Sequence, residues 1–226
     1  MKSWDPIWEE IYKNRDWGKY PSEELIRFIA RNFYRVKDRG GIRILDLGCG
    51  IGANSWFIAR EGFSVYGIDG SPTALEIARH RFDDERLQGD FINSYLSSIP
   101  LGDRYFDTVI DVEALSCNSI KDSEQILKEV YRILKPNGQF ISIAFKKGSW
   151  GDGTGDVIDS YTYNNVMGGP CGFIGPVRFI PENEVYRLYS SFTNIQLEYI
   201  ERSFENHTKF VSSWVITCRK PGENRL

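Results

Sequence analysis

The sequence predicts an α/β domain, with a mostly parallel sheet carrying helices on both faces. Three observations lead there. From Ile42 onward, short β-branched runs alternate with longer stretches of helical periodicity, the pattern of βαβ units. A glycine turn, Gly48-Cys49-Gly50-Ile51-Gly52, separates the first such strand from the first such helix. The last two strand-like runs are joined by a polar link, about Ser203 to Lys209, that is too short for a crossover helix, so they should pair antiparallel.

Taken in order, residues 1–40 read as an N-terminal helical lid. Trp4, Ile7, Trp8 and Ile11 form an amphipathic stripe, and Trp17-Gly18-Lys19-Tyr20-Pro21 is a turn between helical segments. Residues 41–226 read as the main domain. Ile42 to Leu47 is a buried strand, Ala53 to Arg60 a helix closed by Gly62, and Ser64 to Asp69 a second strand. Gly70-Ser71-Pro72 then opens a helix with Ser71 as N-cap and Pro72 in its first position. A short strand is expected around Leu87 to Asp90 and another at Phe106 to Val112. Ser119 to Leu134 has Ile126, Val130 and Ile133 at helical spacing, and Pro136-Asn137-Gly138 stops it before a strand at Gln139 to Phe145. Pro181 to Ser191 reads as a helix, and Ile195 to Ile200 and Phe210 to Cys218 as the closing strands. The glycine-crowded stretch 148–177 falls outside this rhythm and is expected to be a lid or binding loop inserted on the acceptor side.

Composition narrows the function. A length of 226 residues suits one domain, or a core with a small lid. With 41% apolar and 26% charged residues, and no uncharged apolar run near the roughly 18 residues that span a bilayer, the chain reads as globular, with no membrane partner. The first residues, Met1 to Pro6, lack the apolar core of a secretory leader, and Asp5, Glu9 and Glu10 argue against a basic transit peptide, so a cytoplasmic location is expected. The four cysteines, Cys49, Cys117, Cys171 and Cys218, show no metal-ligand spacing and no disulfide framework. No metal is expected: Asp152, Asp156 and Asp159 lack the spacing and terminal glutamate of a calcium loop. A net charge of −3 weighs against nucleic acid and favours a small-molecule partner, and oligomeric state is not legible.

Open α/β sheets bind ligands at the carboxyl ends of their strands, which puts weight on the loop after Leu47. Its glycines let backbone N–H groups and a helix N-terminus approach a ligand. Alone, Gly48-x-Gly50-x-x-Ala53 with Asp69 downstream also satisfies a dinucleotide-binding pattern, so two ligand classes stay open. The surrounding motifs separate them: Asp46 before the glycines, Gly89-Asp90-Phe91, Phe106-Asp107-Thr108-Val109-Ile110-Asp111 and Leu134-Lys135-Pro136-Asn137-Gly138. Each acid has an ordinary structural reading by itself; together they form a set.

As a set, these motifs resemble the class I S-adenosylmethionine-dependent methyltransferases, especially those acting on small molecules, closely over Ile42 to Phe145. The resemblance implies a Rossmann-like, seven-stranded, mostly parallel sheet with a reversed last strand, and S-adenosylmethionine as cofactor. It implies that Asp46, Gly48 and Gly50 hold the methionine end. Asp69, followed by Gly70, would bind the ribose hydroxyls, for which an acceptor-only carboxylate is suited. Asp90 would accept from the adenine amino group, with Phe91 beside the ring. Asp111 is a candidate to face the methionine group, whereas Asp107 is read as structural. Two positions depart from the common pattern: Asn137 replaces a glycine, and Ser116-Cys117 stand where many relatives carry a histidine base.

The catalytic residue is therefore unassigned, with Glu113 and His207 as candidates, while His80 reads as a surface helix residue. Trp17 and Tyr20 are expected to cover the cofactor, offering aromatic faces to the sulfonium. Glu113, Asn118, Tyr161, Tyr163 and Arg178 are expected around an acceptor that takes the methyl on O, N or S, a sugar or glycan precursor being one such molecule. The alternatives are a NAD-dependent oxidoreductase and a non-catalytic cofactor-binding subunit.

Overall fold

The computed structural model describes residues 4–223, so the first three residues of the segment read against a leader, Met1 to Ser3, lie outside the described residues. Two helices come first: α1 (Ile7–Asn14) and α2 (Glu23–Phe33). The alternating domain follows as β1 (Arg43–Leu47), α3 (Ala53–Arg60), β2 (Ser64–Asp69), α4 (Pro72–Asp84), β3 (Asp90–Asn93), β4 (Phe106–Val112), α5 (Ile120–Ile133) and β5 (Leu134–Phe145). Three short strands, β6 (Asp156–Val157), β7 (Thr162–Asn164) and β8 (Val177–Arg178), precede α6 (Glu182–Leu188), β9 (Thr193–Phe204) and β10 (Lys209–Arg219).

The main sheet has seven strands in the order β3-β2-β1-β4-β5-β10-β9. The first five are parallel, and β10 runs antiparallel between β5 and β9. Successive residues of each strand serve opposite faces, as the period of two requires. Ile44, Ile110, Ile141 and Val215 pack with α2 residues Leu25 and Ile29 and α3 residue Ile58. Their neighbours Leu45, Val109, Phe140 and Ile216 pack with Ile126 and Val130 of α5 and Val185 of α6. The central strands are thus buried on both sides, which explains why they read as near-continuous apolar runs.

The helix starts follow their caps. Ser71 Oγ accepts from the Ala74 amide at 3.1 Å, and Ser119 Oγ from the Asp122 amide at 3.1 Å. The expected stop at Pro136-Asn137-Gly138 is built differently. β5 begins directly after α5, at Leu134 opposite Phe106, and its next partner is Gln139 opposite Thr108, so residues 135–138 bulge out of the ladder. Asn137 takes a φ of 64° there, a conformation asparagine tolerates. Asp107 is structural, as expected: it accepts from the Arg43 amide at 2.9 Å and pairs with Lys135 at 2.7 Å.

Residues 148–177 are not a structureless loop. β6, β7 and β8 form a small antiparallel sheet, and Val166, Cys171, Ile174 and Val177 share an apolar cluster with Ile11 of α1 and Phe145 at the end of β5. Its three acids hold turns: Asp152 accepts from the Gly148 amide, Asp156 from Asn165 Nδ2, and Asp159 from the amides of Tyr161, Thr162 and, across to α5, Ile120. The insertion and α1 therefore brace one another above the carboxyl ends of the strands.

Two substitutions check this packing. Phe140→Ala should cost about 3–5 kcal/mol through the cavity it leaves, and Ser119→Ala about 1 kcal/mol through the lost cap. Urea unfolding should show lower midpoints at an unchanged slope, with the larger drop for Phe140→Ala.

Candidate active site

The first glycine turn is shaped by what crowds it. Gly48, Gly50 and Gly52 have φ of 72°, 51° and 78°, in the left-handed region. A Cβ on Gly48 would lie 2.3 Å from the Ala114 Cβ, and one on Gly50 would lie 2.6 Å from the Tyr12 hydroxyl. Neither Gly48 nor Gly50 can thus take a side chain, and the backbone of the turn lines the space above.

Asp69 closes β2 with only 7% of its surface exposed. One carboxylate oxygen accepts from the Gly50 amide at 2.8 Å and the other from the Ser71 amide at 2.9 Å. Burial raises its pKa against the opposing pull of these backbone donors. Each oxygen keeps lone-pair capacity for a further donor.

α1 lies across this arrangement and uses three faces. Ile7 and Ile11 enter the apolar cluster of the insertion. Glu9 accepts hydrogen bonds from the Ser71 and Thr73 hydroxyls at the start of α4. Burial alone would raise the Glu9 pKa, but these bonds and Lys13 outweigh it and hold it below its ordinary value. Trp8 and Tyr12, one helical turn apart, form a cluster with Trp17, the ring centroids 5.6 to 6.0 Å apart.

Between these parts lies a cavity of about 440 Å³. Gly48, Gly50, Asp69 and Gly70 line it from the strand ends, and Trp4, Trp8, Tyr12, Trp17 and Tyr20 from the N-terminal segment. Glu113, Cys117 and Asn118 enter after β4, and Pro170, Cys171 and Ile174 from the insertion. Trp4 lies against Gly70, where a Cβ would come within 2.4 Å of the indole. The Trp4 indole N–H is buried and has no partner among the described residues.

Residues 44–138, the segment that supplies the floor of this cavity, match the family model described as a methyltransferase domain. Over this segment the chain is similar to methyltransferase domains. A demethylmenaquinone methyltransferase of Tropheryma whipplei (strain Twist) is 34% identical over 105 residues, a match taking in 46% of this chain and 42% of that protein. The chain spans less than half the length of the curated relative it matches there. Among solved structures, a SAM-dependent methyltransferase from Methanosarcina mazei is similar with a TM-score of 0.65 at 23% identity, over 80% of this chain and 93% of that one. The 1,6-didemethyltoxoflavin N1-methyltransferase of Burkholderia thailandensis, solved with bound 1,6-didemethyltoxoflavin and S-adenosylhomocysteine, is similar with a TM-score of 0.63 at 19% identity, over 88% of this chain and 76% of that one. These likenesses share the seven-stranded fold.

The expected site residues divide. Gly48, Gly50, Asp69 and Gly70 meet at the cavity with Trp17, Tyr20 and Glu113. Asp46 does not line it. Its carboxylate is fully buried beneath the turn, accepting from the Ser55 amide at 3.0 Å, the Ser55 hydroxyl at 2.6 Å and Asn54 Nδ2, and burial lifts its pKa to about 6. Asp111 is likewise enclosed. It accepts from the Leu115 amide at 3.0 Å and from the Ser142 hydroxyl, to which Tyr189 donates in turn, and burial again lifts its pKa to about 6. Both acids order the turns that carry the lining residues.

The expectation for Asp90 needs correction. β3 starts at Asp90 rather than ending there, because the Leu87 amide still closes α4 on the Phe82 carbonyl and Arg86 turns through a φ of 54°. Asp90 pairs with Tyr66, and the residue beside Asp69 at the ligand end is Asn93, which donates to the Asp69 and Gly70 carbonyls. Asp90 is exposed, and Phe91 packs edge-on against Phe82 beneath the glycine turn; neither lines the cavity. His207 is corrected too. β9 and β10 extend past the end of β5 and carry it out to an exposed tip, bonded to Ser203. Arg178 is buried behind the cavity, donating to the Leu115 and Ser119 carbonyls and to Ser123, and Tyr161 and Tyr163 stay outside it. Tyr12 and Glu9 were not read as site residues. The four-residue spacing from Trp8 to Tyr12 was the available signal for the first.

Glu113 stands apart from the other acids. It takes a φ of 66°, rare for a residue with a side chain, held by its amide donating to the Ile143 carbonyl at 2.8 Å. Its carboxylate has no hydrogen-bond partner among the described residues. Burial, and then the charge of Asp111, push its pKa up to about 7. The groups facing it are Asp111, Cys117 and Cys171, none of which supplies a positive charge.

A carboxyl with a raised folded-state pKa favours the fold only while protonated. Stability should therefore fall as pH rises from the ordinary value of 4.5 towards about 7, with the penalty fully present above it. Glu113→Gln removes that penalty. The variant should match the wild type near pH 4.5 and exceed it by roughly 1–3 kcal/mol at pH 8, read from urea unfolding at the two pH values. Glu9→Ala, in contrast, should cost about 1.5–3 kcal/mol at pH 7 through the lost bonds to Ser71 and Thr73.

Proposed function

We propose that the protein is an S-adenosylmethionine-dependent methyltransferase that carries a methyl group to an O, N or S nucleophile on a small molecule. The observation that carries this reading is the pairing of Asp69 with the left-handed Gly48–Gly52 turn on the floor of a single cavity roofed by aromatic side chains. The family match over residues 44–138 and the fold shared with an S-adenosylhomocysteine-bound methyltransferase support it.

The lining residues fit the cofactor chemically. A molecule with a sulfonium and an amino group is served by a carboxylate and aromatic faces, here Asp69, Trp8, Tyr12 and Trp17. Its ribose hydroxyls find an acceptor in Asp69, and the unpartnered Trp4 N–H offers a donor to a polar atom beside Gly70. When bound, the cofactor supplies an electrophilic methyl on a good leaving group, so the chain's work is alignment and exclusion of water, with a base needed only for a protonated acceptor. Asp69 and the glycine turn fix one reactant. The Trp8, Tyr12 and Trp17 cluster keeps water from it, and Glu113 is placed to take a proton.

A small-molecule acceptor, rather than nucleic acid, is favoured by a cavity that no basic side chain lines among the described residues. Among the described residues no helix is long and apolar enough to cross a membrane. All four cysteines are free, which supports a reducing compartment such as the cytoplasm.

Calorimetry should detect binding of S-adenosylmethionine and S-adenosylhomocysteine, and none of NAD. Asp69→Ala should weaken S-adenosylhomocysteine by roughly 10- to 150-fold, the equivalent of about 1.5–3 kcal/mol for bonds to a charged acceptor, while thermal unfolding remains cooperative. Binding of NAD with no response to either sulfur compound would contradict the reading.

A further inference from the structure

The acceptor has a chemical signature in the charges around the cavity. Among the described residues, two carboxylates line it, Asp69 and Glu113, and no lysine, arginine or histidine does. Arg178 does not line it; buried, it donates to main-chain carbonyls and Ser123. Asp69 already holds the Gly50 and Ser71 amides at the end of β2. Glu113 comes from a different wall, after β4, and holds nothing. A residue with a side chain in the left-handed region, carrying an unpartnered carboxylate into a cavity, is a costly feature to maintain without a ligand to receive it.

Around Glu113 the wall is mostly apolar, with Cys117 from the same turn and Pro170, Cys171 and Ile174 from the insertion, and Asn118 is its polar member. Trp8, Tyr12 and Trp17 add the aromatic cluster. Aromatic faces and an unpaired carboxylate both attract a cation, whereas a carboxylate or phosphate ester here would meet negative charge with nothing to offset it.

We propose that the methyl acceptor is an amine borne on an apolar or aromatic body, with its nitrogen held by Glu113. This rests on the methyltransferase reading and adds the substrate class to it. The amine enters as an ammonium ion paired with the Glu113 carboxylate. One N–H proton passes to that carboxylate, the nitrogen keeps the electron pair and becomes the nucleophile, and Glu113 later returns the proton to water. Glu113 is thus both the selectivity group and the proton acceptor, a role the absent histidine would otherwise fill.

The test uses the full chain saturated with S-adenosylhomocysteine and matched probes that share a body and differ in head group. Phenethylamine, 2-phenylethanol and 3-phenylpropionate form one set; 1-naphthylmethylamine, 1-naphthylmethanol and 1-naphthoate form another. Calorimetry at pH 8 should show at least one amine binding tenfold or more tightly than its alcohol, with the acid weakest. In Glu113→Gln the amine should lose tenfold or more while the alcohol is unchanged. If no amine exceeds its alcohol and acid partners, because all bind alike or because none binds, the inference is overturned. That comparison holds within the wild-type protein, whatever the variant's stability. Failure of S-adenosylhomocysteine to bind in the loading step would instead overturn the methyltransferase reading itself.

Discussion

One buried carboxylate sets the geometry of the site. Asp69 ends β2 and binds two backbone amides, Gly50 from the turn after β1 and Ser71 at the cap of α4. Burial of a charge at the end of a strand is unfavourable, and these two donors, with the positive end of α4 behind Ser71, offset it. Ser71 also caps its own helix and donates to Glu9, so the same few atoms dock α1. The roof of the cavity is therefore registered on its floor through a continuous hydrogen-bonded path from Gly50 to Glu9.

The acids at the strand ends divide the labour. Asp46 and Asp111 are enclosed and fully partnered, and their function is to hold the turns after β1 and β4 in place. Asp69 and Glu113 open onto the cavity that those turns create. Arg178 completes the scaffold from the insertion side by binding the carbonyls of the turn after β4. The result is a cavity with negative charge and aromatic walls, backed by a shell in which the polar groups are largely satisfied, an arrangement that favours a fixed geometry over an adaptable one.

Much of this was legible in the chain, and the parts that were not share a cause. α3, β2 and β4 lie where periodicity and turn residues put them, since each is framed by local signals such as Gly62, Ser71 and Pro72. Asp69 and the glycine turn were legible for the same reason. Asp90 was not, because the Gly89-Asp90-Phe91 pattern is matched equally by the beginning of a strand, and only pairing with Tyr66 fixes the register. His207 was placed on the correct side of the sheet, but the length of the β9–β10 hairpin, set by long-range pairing, removes it from the cavity. The docking of α1 through Glu9 depends on partners more than 60 residues away and has no local signature. The insertion looked like a loop because its strands are two or three residues long and gain their stability by packing on Ile11 and Phe145.

The central claim is that Asp69 and the Gly48–Gly52 turn are the seat of S-adenosylmethionine. A crystal structure of the protein grown with S-adenosylhomocysteine tests it most directly. The account predicts the ligand inside the cavity, with its ribose hydroxyls within hydrogen-bond distance of the Asp69 carboxylate and its sulfur between the glycine turn and the wall bearing Glu113. A ligand bound elsewhere, or one seated in the cavity with Asp69 making only its existing bonds to Gly50 and Ser71, would contradict it.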